Sequence, residues 1–160
     1  MILSGVQNDQ ISSFRAGIED GLKGDSRFTG CSRYDRPDGS TLATRWESAA
    51  NPHVWFEIAV RPLIPQVRVG ILTDDRWKSE DLETKIEESG DTMSEFVELG
   101  FDEAGLEWKD PIVEHFREEM KYFYFATALN LSKLEELAGQ AGKARQMLDG
   151  YFHAFGPFLA

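Results

Sequence analysis

The sequence predicts an α+β domain: one antiparallel sheet with its helices packed mainly against one face. Three observations predict it. Apolar residues alternate at period two through residues 42–71, as in strands with one face on a core and one looking elsewhere. Three other stretches repeat their apolar residues at helical spacing: Ile11, Phe14, Ile18 and Leu22; Leu82, Ile86, Met93, Phe96 and Val97; and Leu134 through Phe155. The order of these segments is helix, three strands, helix, two strands, helix. A chain of 160 residues without a linker or internal repeat forms one domain, residues 1–160.

The first helix spans 9–23, capped by Asn8 or Asp9 and stopped at Gly24. Residues 28–34 form a possible extra strand, turned back by Arg36-Pro37-Asp38-Gly39. Three strands follow at 42–47, 53–60 and 66–73. Their inner face collects Leu42, Trp46, Val54, Phe56, Ile58, Val60, Val67, Val69 and Ile71, and their outer face Arg45, Trp55, Glu57 and Arg68. An acidic helix covers 79–100, with a glycine break at Gly90 and a capping box from Thr92 to Glu95 that restarts it. Leu106 and Trp108 mark a short strand at 106–109, and residues 112–119 a brief helical turn. The strand 121–128 is apolar on both faces, with Tyr122, Tyr124 and Ala126 on one and Phe123 and Phe125 on the other. Ser132 and Glu135 have capping-box spacing at the start of the last helix, 132–155, which Gly156-Pro157 stops.

Composition narrows the function classes. The net charge of −11 is concentrated: residues 80–119 hold fifteen acids against Lys85, Lys109 and Arg117. Such a segment gains no counterion release from a phosphate backbone, so no nucleic-acid partner is expected there. It is either a solvated helix face or a field that steers a basic partner. One cysteine, Cys31, excludes an internal disulfide and suits a reducing cytoplasm. No apolar run approaches the ~20 residues that span a bilayer, and Met1–Val6 is too short for a signal peptide, so a cytoplasmic protein without membrane contact is expected.

No motif announces catalysis. Dinucleotide, Walker, nucleophile-elbow and metalloprotease signatures are absent. His115 has Glu119, not histidine, four residues on, so the string 114–119 reads as a surface histidine among carboxylates; His53 and His153 stand alone. Asp74 and Asp75 with Glu107-Trp108-Lys109 resemble the E-x-K pattern of metal-dependent nucleases, against a field that repels DNA. Cys31 has no histidine nearby in sequence and reads as an inert thiol. No enzyme activity, metal or cofactor is expected. Trp55 stands apart, because alternation turns it outward beside Arg45, either as a binding anchor or as a cation–π partner of that arginine.

The element order resembles that of the class I type III secretion chaperones, and of the sensory transduction regulator proteins that share their fold. The resemblance covers residues 8–156 and rests on order, size and acidity, with no diagnostic motif. It implies an α+β homodimer that holds an extended segment of a client protein without catalysis. On that reading Trp55, Arg45, Tyr122 and Tyr124 anchor the segment, and Glu83, Glu87 and Glu88 attract its basic residues. The competing expectation is an enzyme or small-ligand domain with a pocket between sheet and last helix, marked by converging polar groups.

Overall fold

The computed structural model describes residues 2–160. Helix α1 (Gly5–Gly21) starts four residues earlier than predicted, because Ser4 and Gln7 form a reciprocal capping box. A four-strand meander follows: β1 (Phe28–Asp35), β2 (Leu42–Ser48), β3 (Val54–Arg61) and β4 (Gln66–Thr73). The acidic stretch is two helices, α2 (Arg76–Ser89) and α3 (Met93–Glu103). Gly90, at φ 80°, ends the first in the left-handed region, and Thr92 with Glu95 caps the second. Then come β5 (Glu114–Glu118), β6 (Tyr122–Asn130), a 3-10 turn at Leu134–Gly139 and α4 (Ala141–Phe155).

The six strands make one antiparallel sheet in the order β1-β2-β3-β4-β6-β5. The possible strand at 28–34 is therefore real, and it forms one edge. The expected strand at 106–109 does not exist. Leu106 is buried and Trp108 packs on Phe101 at 5.7 Å, so the alternation there records two residues dipping into the core without a pairing partner. The fifth strand lies instead within 112–119, read from sequence as a helical turn. At the last helix the predicted Ser132–Glu135 box shifts by one residue, with Glu136 accepting from the Ser132 and Lys133 backbone.

All four helices sit on one face. Ile11, Phe14 and Ile18 of α1, Leu82 and Ile86 of α2, Phe96, Val97 and Phe101 of α3, and Met147, Tyr151 and Phe155 of α4 share a core with Phe56, Ile58, Val69, Ile71 and Phe125 of the sheet. Arg15 pins α1 to the sheet through Asp35 and the Ala43 carbonyl. Helices α3 and α4 meet through glycines: a Cβ on Gly100 would stand 2.3 Å from the Gly150 carbonyl, and one on Gly150 2.3 Å from the Phe101 ring. Tyr151 and Phe155 are thus hidden within one chain.

The sheet curls strongly. In register the β1–β2 hairpin and the β5–β6 hairpin occupy diagonally opposite corners. Arg36 of the first nevertheless reaches Glu118 of β5 at 3.2 Å and Glu119 at 3.8 Å. At the centre of the sheet Gly70 lies between Glu57 and Ala126, where a Cβ would fall 2.1 Å from the Phe125 carbonyl. Such an approach needs a bare backbone, as at tight bends in strands. The helix-free face becomes concave, with the Arg36 ion pair clasped across it.

Candidate functional site

The concave face holds a cleft of about 400 Å³. Its floor comes from outward positions of four strands. Arg45 on β2 stands directly opposite Glu57 on β3. Arg68 comes from β4 and Tyr124 from β6. Glu57 is 2% exposed, Tyr124 1%, Arg68 6% and Arg45 8%. Burial of a charge is costly unless it is paired and hydrogen-bonded, and here the pairing is dense. Glu57 accepts from Arg45 Nε at 2.9 Å, from the Tyr124 hydroxyl at 3.0 Å and from Arg68 Nη2 at 3.4 Å. Tyr124 in turn accepts from Arg45 Nη2 at 3.0 Å.

Burial and the Glu57 charge push the Tyr124 hydroxyl well above the ordinary tyrosine range, so it stays a donor at any physiological pH. Burial works against the Arg45 charge, but Glu57 outweighs it and the guanidinium remains cationic. Rings wall the floor. The Arg45 guanidinium lies over Tyr34 at 4.3 Å and Tyr122 at 4.7 Å, and that of Arg68 over Tyr124 at 5.0 Å and Phe116 at 5.2 Å. Phe116 and Tyr124 stack at 4.8 Å. Trp55 meets Tyr122 edge-on at 6.2 Å, so its partner is a ring and not the arginine expected as its cation–π partner.

The predicted site residues divide between two surfaces. Trp55, Arg45, Tyr122 and Tyr124 do come together on the concave face. Glu83, Glu87 and Glu88 lie on α2, which packs on the other face through Leu82 and Ile86. Glu83 contacts His115 Nε2, whose Nδ1 approaches the Tyr124 carbonyl at 2.7 Å; Glu88 lies 3.9 Å from Lys85. Asp74 bonds His53, and Asp75 caps α2 by accepting from the Trp77 backbone. Among the described residues no group of three or more His, Cys, Asp or Glu side chains is placed to hold a metal ion. No described helix is long and apolar enough to cross a membrane.

Sequence reasoning placed Glu57 and Arg68 on the outer face without seeing a site in them. The available signal was a set of opposite charges at outward positions of consecutive strands. Tyr34, Arg36 and Glu118 were missed, because only the curl of the sheet brings its edges together. Comparison of the chain with protein-family models, with curated proteins and with solved structures found no match.

Proposed function

We propose that this chain is a non-catalytic binding domain that takes a small ligand in the concave cleft. The observation that carries the proposal is the floor: two guanidinia more than nine-tenths buried, facing one carboxylate, with donors to spare. A cleft of this volume with a few converging polar groups and aromatic walls has the makeup of small-molecule sites. Glu57 is committed to three donors, which leaves no free base on the floor and supports binding over catalysis. The ligand reading thus moves from the sheet–helix junction to the opposite face. A mixed-charge fragment library, followed by backbone amide chemical shifts, tests it. Hits should cluster on residues 34–45 and 118–124; hits only on other surfaces would remove the reading.

One observation favours a second reading, the secretion-chaperone-like holding of a basic, extended client segment. Glu80, Glu83, Glu87 and Glu88 are exposed along α2, a solvated acidic face. This reading needs a homodimer, so a mass near 18 kDa in light scattering counts against it. It also predicts that reversing Glu83, Glu87 and Glu88 slows capture of a client, while Trp55→Ala speeds release. In both readings we place the protein in the cytoplasm, where a lone free thiol such as Cys31 is at home.

A further inference from the structure

We propose that the ligand of the concave cleft is an organic carboxylate with a flat apolar body, its carboxylate held by Arg45 and Arg68 and its body against Tyr34 and Tyr122. The inference rests on the binding-domain reading and names the ligand class.

Each guanidinium carries five N–H groups. Arg45 commits Nε to Glu57 and Nη2 to Tyr124, and Arg68 commits Nη2 to Glu57. Arg68 Nε is buried with no acceptor, and neither Nη1 has a protein acceptor among the described residues. Arg68 Nε is one buried donor left unmade, which is costly, while the two Nη1 groups are not sealed off and are the donors that a further acceptor can meet. Planar N–H forks match a carboxylate in two-point fashion.

Charge then chooses among anions. Two arginines and one glutamate leave the buried floor at net +1, although the full lining, with Arg36 against Asp35, Asp38, Glu118 and Glu119, sums to −2. Beside the floor Glu118 stands 3.8 Å from Arg68, with Glu119 at the rim. A doubly charged phosphate would meet repulsion from the acidic rim that the floor does not offset, whereas one negative charge seated between Arg45 and Arg68 matches the charge of the floor itself. The walls choose the body. Tyr34, 47% exposed, and Tyr122 flank the Arg45 guanidinium, and Trp55 extends the aromatic surface at Tyr122. Flat rings stack there at small entropic cost.

The ion pair across the cleft favours a small molecule over a protein segment. The Arg36–Glu118 pair joins diagonal corners of the sheet above the cleft, so a passing polypeptide would have to displace it. A compact ligand need not.

The test is an amide chemical-shift titration with benzoate, benzamide and phenyl phosphate at pH 8. Benzoate should shift residues 34–45 and 118–124, and benzamide should bind at least tenfold more weakly. Arg68→Gln should weaken benzoate tenfold or more. Glu57→Gln, which removes the competing carboxylate, should tighten it severalfold. Since either variant can disturb the fold, the wild-type comparison of benzoate with benzamide decides by itself. Equal binding of the two, shifts confined to other surfaces, or phenyl phosphate binding as tightly as benzoate would each overturn the carboxylate assignment. If neutral or cationic fragments occupy the cleft while benzoate does not, the ligand class is wrong and the binding-domain reading stands. If no compound of any charge perturbs the cleft, both fall.

Discussion

Glu57 draws donors from three different strands, and this makes its hydroxyl partner a sensitive probe of the whole floor. Tyr124→Phe removes a group that both donates to Glu57 and accepts from Arg45, leaving each short of a partner. A cost of about 1–3 kcal/mol is expected, read in urea unfolding as a lower midpoint with unchanged slope. Two other carboxylates contribute to the acid limb of stability, beside the exposed carboxyls of Asp38, Glu95 and Glu135 that hydrogen bonds also hold low. Burial would raise Glu19, but Arg33, with Thr44, holds it below the ordinary value; hydrogen bonds from Arg27 hold Asp25 low against its own burial. A carboxyl depressed in the folded state stabilises fully above its unfolded value, near pH 4, and loses that contribution as pH falls through the folded value. Glu19→Gln with Asp25→Asn should therefore flatten the stability–pH curve below about pH 4.5. The loss above that pH should be roughly 0.5–1 kcal/mol, because solvent screens both pairs. An unchanged acid limb would show that neither pair carries linkage.

At the scale of elements, the β5–β6 hairpin turns through Glu119 at φ 55° and Met120 at φ 56°. Both central positions are in the left-handed region, as in type I′ turns that ordinarily use Asn-Gly. Glu119→Asn with Met120→Gly should stabilise by about 1–2 kcal/mol, raising Tm by a few degrees in calorimetry. This misfit also explains why β5 was invisible in sequence: its turn carries no Gly, Pro or Asn, and its five residues lack an apolar alternation. The glycine contact between α3 and α4 behaves oppositely. Gly150→Ala would drive a methyl into the Phe101 ring, and overpacking of this kind costs about 1–3 kcal/mol. A melting temperature unchanged in that variant would mean that the helices slide apart freely.

For the whole molecule, the layers were legible because their causes are local. Period-two alternation through β2, β3 and β4 and the stripes of α1 and α4 each state which side meets the core. Gly90 and the Thr92–Glu95 box marked the α2–α3 break as written. The cleft was half legible. Alternation put Arg45, Glu57 and Arg68 on one face, but their meeting with Tyr124 depends on β6 entering beside β4, and Arg36 reaches Glu118 only through the curl centred on Gly70. Pairing across a long insertion and the bending of a sheet are tertiary outcomes, which no short window of sequence contains. The same architecture separates charge: the arginine floor lies on the bare face, and the acidic helix α2 on the covered one.

The pairing of β4 with β6 has a consequence in time. Thr73 pairs with Phe123 and Gln66 with Asn130, so closing this ladder spans roughly fifty residues or more, whereas β1 through β4 join by short hairpins. Non-local pairings repay their closure entropy late, and they slow folding. The meander should form first, carrying Arg45, Glu57 and Arg68 with two cations and one anion still open to water. Only the arrival of β6 brings Tyr124 and seals them. Pulse-labelled hydrogen exchange during refolding should show amides of β2–β4 protected before those of β6, and the reverse order would refute it. On the proposed reading, the cleft would then be completed only in the final step of folding, and ligand added early in refolding should find no site.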